Sequence, residues 1–151
     1  MSYIRLILVT AAALLAAACS SVPYAQRQAQ LVADYTAAAG APVSSFRFLS
    51  LYSWVPLSTT ELAVYTRPNE AWLLDVDGGC PALTYVPSIG ITSYLRQVST
   101  NFDKVLTGRN SYPCTITRIR PLDVSRVKAA QKVRREIHAQ PRPAQEAQPK
   151  A

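Results

Sequence analysis

Histidine is almost missing from this chain: of 151 residues only His138 is one. A hydrolytic triad needs an imidazole between nucleophile and carboxylate, and zinc wants three or four His, Cys or carboxylate ligands at short spacing. With His138 near a Pro-rich end and three cysteines in all, the sequence predicts no catalytic set, no metal and no cofactor. Five glycines, none in a Gly-rich arrangement, leave no phosphate-cradling loop. The longest apolar run, residues 6–18, falls short of the roughly 18 residues of a membrane-spanning helix. Acidic residues are also scarce, nine against sixteen basic ones, for a formal charge of +7.

What the chain does have is an amino-terminal export pattern. Arg5 supplies a basic start, residues 6–18 are apolar, and Ala16, Ala17 and Ala18 place small residues directly before Cys19. A thiol there is what a bacterial lipoprotein signal requires: the Cys is diacylated and the chain is cut in front of it. The rival is an ordinary secretory signal, because Ala16 and Ala18 also satisfy small-x-small cleavage. Ala16 stands where the preferred lipobox has Leu. Ser20 stands where inner-membrane retention usually wants Asp, which directs the expectation to the periplasmic face of the outer membrane. Residues 1–18 are thus expected to be a signal peptide, with Cys19 the lipidated first residue of the mature chain.

The charge is unevenly placed. Residues 20–117 carry six basic and six acidic side chains, whereas from Arg118 onward nine basic ones face only Asp123, Glu136 and Glu146. Cysteine usage fits an exported chain. With Cys19 acylated, Cys80 and Cys114 remain as an even pair in an oxidising space. A bridge between them closes a loop of about 35 residues, worth roughly 3–4 kcal/mol in the chain-entropy model.

Periodicity divides the rest. Residues 19–44 begin Ala- and Gln-rich, with Leu31, Val32 and Tyr35 at helical spacing; they read as a helix over 24–38 stopped by Gly40 and Pro42, or as a tether. Residues 45–51 alternate, with Phe46 and Phe48 on one face, and 54–57 come next. Residues 61–66 and 71–76 form a β-hairpin about the turn Arg67, Pro68, Asn69, Glu70, ending at Asp77, Gly78 and Gly79. Beyond Cys80 the pattern weakens into short candidate strands around 83–86, 89–91, Val98 and 102–106, then a turn at 107–110. Residues 114–120 alternate again: Cys114, Ile116, Arg118 and Arg120 on one face, Thr115, Thr117 and Ile119 on the other. These elements predict a mainly β domain over 45–122, a small antiparallel sheet or partly closed barrel, with a thin core. Asp123 caps a basic helix over 123–139, in which Lys128, Lys132 and Arg135 form one stripe. Its apolar side, Val124, Val127, Ala130, Val133 and Ile137, is broad. Residues 140–151 have three prolines and no periodicity and read as disordered.

Few side chains invite chemistry. Asp75, Asp77, Gly78 and Gly79 open like a calcium loop, but the later ligands and closing Glu are missing. By strand alternation Asp75 and Asp77 share a face, so a glycosidase-like carboxylate pair is geometrically conceivable. Thr92 and Ser93 lack a base, and Glu61, Glu70 and Asp103 read as exposed. Trp54, Tyr65, Trp72, Tyr85 and Tyr94 either line a ligand pocket or pack as cross-strand partners, the commoner fate.

One combination of residues is familiar. It comprises Phe46-Arg47, Trp54, Leu62-Ala63-Val64-Tyr65-Thr66, Ala71-Trp72-Leu73-Leu74, Cys80-Pro81 and Leu83. It continues with Ile89-Gly90-Ile91-Thr92-Ser93, Phe102-Asp103-Lys104-Val105, Cys114, Ile116 and Ile119-Arg120-Pro121-Leu122-Asp123. Over roughly 45–124 the chain resembles a family of small proteobacterial envelope lipoproteins classed as a domain of unknown function. The resemblance implies a secreted, disulfide-bearing domain and brings no activity, substrate or catalytic residue; the basic tail lies outside it. The expected function is a non-enzymatic structural or interaction module, attached to the membrane by its lipid. Lys128, Lys132 and Arg135 would assist through anionic headgroups. The expected partner is an envelope protein, an anionic lipid or a glycan, and the compartment argues against nucleic acid. The alternatives are a small-ligand domain with an aromatic pocket and an envelope hydrolase using Asp75 and Asp77.

Overall fold

In a computed structural model, residues 23–108 and 111–139 are described, with side chains as far as Glu136. The signal segment, Cys19, Arg109, Asn110, the side chain of His138 and the tail 140–151 lie outside the described residues. The chain divides after Gln30 into two units. The described part of the first is 23–30, where helix α1 (Tyr24–Ala37) starts on the Pro23 carbonyl, which accepts from the amides of Gln26 and Arg27. The second unit starts at Leu31, so its packing begins well before the expected boundary at Ser45.

That unit is mainly β, with a helix at each end. In chain order it holds β1 (Ser45–Arg47), β2 (Ser53–Pro56), β3 (Glu61–Arg67), β4 (Glu70–Val76), a 3-10 turn (Pro81–Thr84), β5 (Gly90–Ile91), β6 (Gln97–Ser99), β7 (Lys104–Leu106), β8 (Cys114–Leu122) and α2 (Val124–Ala139). Six strands form a half-barrel sheet in the order β2-β3-β4-β8-β7-β5, every neighbour antiparallel, and β1 pairs with β6 as a separate ribbon. The expected hairpin is β3–β4. Leu62 faces Leu74 and Val64 faces Trp72 across it, and Pro68 and Asn69 make the turn.

Both faces of β3 and β4 are covered. Leu62, Val64, Leu74 and Val76 point into a cluster completed by Phe46, Leu83, Val98 and Val105 from the ribbon, the 3-10 turn and β7. Ala63, Leu73 and Ala71 point the other way, under Tyr35 and Ala38 at the end of α1 and Val124 and Val127 of α2. Burial from both sides explains why β3 and β4 read as near-continuous apolar runs rather than a clean alternation. The contact stripe of α2 descends through Val124, Val127 and Arg134, where Arg134 pairs with Asp34 of α1. Val133 is exposed, so the expected apolar side is narrower than the composition suggested.

Strand β8 departs from the expected alternation. Arg118 lies opposite Asp75 but Ile116 lies opposite Val76, so Thr117 is an extra residue in a β-bulge. The slip reverses the facing of every later residue in the strand. Ile119 joins Cys114 and Ile116 in the first cluster, and Arg118 and Arg120 turn to the opposite face.

A second correction concerns Asp103, expected to be exposed but almost wholly buried at 2 % accessibility. Its carboxylate accepts from the Thr92 hydroxyl (2.8 Å) and the Ser99 amide (2.7 Å), while Thr92 Oγ1 accepts from the Lys104 amide (2.9 Å). Strands β5, β6 and β7 have only two or three residues each and make few ladder bonds, so one carboxylate supplies what the ladders do not. Asp103→Ala leaves the Ser99 amide unpaired in the interior and is expected to cost about 2–3 kcal/mol, measured by urea unfolding.

Candidate functional site

Cys80 and Cys114 form the expected disulfide, with Cα atoms 6.0 Å apart. Local geometry sets both partners. After β4 the chain reverses through Gly78 and Gly79, both with positive φ (63° and 69°), a conformation glycine adopts without a steric penalty. Pro81 then starts the 3-10 turn immediately after Cys80. Cys114 is the first residue of β8, so the bridge ties that turn to the origin of the longest strand.

Above the bridge lies a cleft of about 400 Å³. The two cysteines, Ala82 and Asp77 are among the residues that line it. Tyr85 and Tyr112, 75 % and 95 % exposed, flank it. Thr107 contributes a hydroxyl that is buried yet has no hydrogen-bond partner among the described residues. A buried, unsatisfied hydroxyl is costly, and this one lies beneath the surface that solvent reaches, so it is a penalty carried by the fold and not a contact open to a ligand. The cleft is therefore an open depression over the disulfide, flanked by two exposed tyrosine rings. Tyr112 stands outside every sequence pattern and Thr107 reads only as the start of a turn, since the fold alone brings Thr107 and residues 111–113 against residues 77–85.

The expected aromatic set is dispersed. Trp72 stacks on Phe46 (ring centroids 4.8 Å apart) and packs, like Trp54, against the first core cluster. Tyr65 lies on the helix-covered face, its phenol 3.0 Å from that of Tyr35. Only Tyr85 reaches the cleft, and Tyr94 is exposed at a separate turn.

Asp75 and Asp77 do not form a carboxylate pair either. Asp77 bonds back to β8, its amide to the Thr115 carbonyl (3.0 Å) and its Oδ1 to the Thr115 amide (3.2 Å). Asp75 faces β8, where Arg118 (3.3 Å) and Arg120 (2.8 Å) hold it. Arg120 also reaches Glu61 (3.0 Å), correcting the reading of Glu61 as merely exposed. Glu61 and Asp75 are direct cross-strand neighbours, a like-charge juxtaposition that destabilises a ladder unless a cation bridges it. Arg120 is that cation. Glu70, also read as exposed, is half-buried and pairs with Arg67 (3.1 Å).

The basic stripe of α2 is partly engaged. Lys128 donates to Asn69 Oδ1 (2.8 Å) at the β3–β4 turn, and Lys132 lies 3.8 Å from Glu136. Arg135 is exposed. Asp123 caps the helix as expected: its carboxylate accepts from the Ser125 hydroxyl and the Arg126 amide, which together hold it below the usual carboxylate range.

The sequence model of a family of unknown function, DUF6491, matches residues 2–138. The match runs past the resembling core in both directions and takes in α1 and nearly all of α2. Neither curated proteins nor solved structures give a match.

Two outcomes are expected. Cys80→Ala with Cys114→Ala should lower stability by roughly 3–4 kcal/mol in the chain-entropy model, read as a fall in urea midpoint. Burial, then the hydrogen bond with Tyr35, raises the Tyr65 pKa well above its ordinary value. The folded state thus keeps the proton after the unfolded chain has begun to lose it. This contribution is complete below about pH 10, the ordinary tyrosine value, and is lost as pH rises beyond it. Tyr65→Phe should show a shallower fall in urea midpoint over that alkaline range.

Proposed function

We propose that this chain, which belongs to the DUF6491 family of unknown function, is a lipid-anchored binding module of the bacterial envelope that performs no chemistry of its own. The single observation that carries the reading is the Cys80–Cys114 bridge. A structural disulfide belongs to an oxidising compartment. It uses the two cysteines that remain when Cys19 is reserved for acylation, and it joins elements no other covalent link would hold. The apolar run before Cys19 supplies the route out of the cytoplasm, and Ser20 supports the periplasmic face of the outer membrane as the destination.

A binding rather than catalytic role is supported by how the carboxylates are used. Asp75 and Glu61 are neutralised by Arg120, Asp77 and Asp103 satisfy backbone amides, and Asp123 caps a helix. One surface these contacts leave open is the cleft flanked by Tyr85 and Tyr112. This favours a second reading, a small-ligand domain with its site over the disulfide rather than around Trp54 and Trp72. Its ligand class is one with an apolar face, which the exposed rings of Tyr85 and Tyr112 would contact.

Mass spectrometry of the protein from native membranes tests the main reading. The expected species starts at Cys19 with a diacylglyceryl group on sulfur, and Cys19→Ala should move the protein out of the membrane fraction. A retained Met1 or an unmodified sulfur would overturn it.

A further inference from the structure

The structure carries a second exposed surface, remote in sequence from the α2 stripe. It is centred on Arg47, on the solvent side of the β1–β6 ribbon, whose inner residues Phe46 and Val98 are buried. Two clefts meet at Arg47. One, of about 380 Å³, is lined by Leu49, Arg67 and Glu70 as well; the other, of about 310 Å³, by Leu95 and Arg96. The two clefts together are lined by three arginines and one carboxylate, Glu70, which is already paired with Arg67.

The turn that presents Leu95 and Arg96 is unusual. Tyr94 and Gln97 exchange both backbone hydrogen bonds (3.0 and 2.9 Å), which makes a hairpin with two central residues. Both central residues have positive φ, 50° at Leu95 and 62° at Arg96. Such turns strongly prefer Asn-Gly, because other side chains are strained there. Here the strained positions hold a large apolar side chain and a cation. Leu95 is 82 % exposed and Leu49 59 %, so neither is recovered by packing. The Arg96 carbonyl accepts from the Phe48 amide (2.8 Å), which fixes the turn against the chain leaving β1.

We propose that this surface docks on an anionic phospholipid membrane, with Arg47, Arg67 and Arg96 against headgroup phosphates and Leu95 and Leu49 entering the acyl boundary. Charge complementarity selects the occupant, and two apolar side chains projecting beside cations are the arrangement that interfacial binding uses. The surface would hold the domain down on the bilayer to which the proposed anchor at Cys19 attaches it, and it rests on that reading only for the membrane's identity.

The test uses the chain from Ser20 onward, unlipidated, which keeps every described residue, with vesicles of phosphatidylcholine alone or mixed with phosphatidylglycerol. Binding is expected only to the mixed vesicles and should weaken with salt. Arg47→Ala and Arg96→Ala should each reduce it about five-fold, and Leu95→Asp about ten-fold or more. The double change Leu95→Asn with Arg96→Gly suits the turn better, so it should keep or raise the melting temperature while abolishing binding. Lys128→Ala with Lys132→Ala and Arg135→Ala should leave binding within about two-fold, less than the roughly five-fold of a single headgroup contact. The proposal is overturned by equal binding to both vesicles, by loss through the helix variant alone, or by full binding of the turn variant. Equal affinity for a soluble polyanion, unaffected by Leu95→Asp, would overturn it too. None of these outcomes bears on acylation of Cys19, which mass decides separately.

Discussion

Burial of β3 and β4 on both faces is the constraint on which the rest of the structure depends. A hairpin with apolar residues on one side needs one layer against it; this one needs two. The helices at the ends of the unit supply one layer, and the ribbon, the 3-10 turn and the short strands supply the other. The sheet therefore has little free area at its centre. The surfaces left for recognition lie at its margins, over the disulfide and around Arg47.

The polar groups obey the same logic. Where β3, β4 and β8 leave the helix-covered core, Glu61, Asp75, Arg118 and Arg120 replace apolar contacts with a chain of ion pairs. Breaking such a partly buried set by removing one partner costs more than the pairs contribute net. Its value lies in register: the cluster can form only when Asp75 sits opposite Arg118, which the Thr117 bulge requires. Asp103 has a comparable role for the short strands, and Gly40 another at the helix boundary. A Cβ at Gly40 would stand 3.1 Å from the Pro121 ring, while its amide bonds the Pro121 carbonyl at 2.8 Å.

Much of the fold was legible in the chain. The β3–β4 hairpin is announced by two apolar runs about Pro68 and Asn69, α2 by the Asp123 cap, and the bridge by cysteine parity. What escaped did so for physical reasons. A bulge has no composition of its own, so the alternation of 114–120 placed Ile119, Arg118 and Arg120 on the wrong faces. The Asp103 network depends on Thr92 and Ser99, which are brought together only when three short strands assemble. The cleft joins residues some thirty positions apart, and the turn at Leu95 and Arg96 lacks the glycine or asparagine that would have announced it. The aromatic positions were read from strand pattern, which tells whether a ring is in a strand and not which layer receives it.

The Cys80–Cys114 bridge clasps the two ends of the segment that carries the 3-10 turn, β5, β6 and β7, and so ties the β5–β7 margin of the sheet covalently to the chain leaving β4. Fastened at both ends, this lobe acts as a lid on the hairpin: its Leu83, Val98 and Val105 close the core over Leu62 and Leu74.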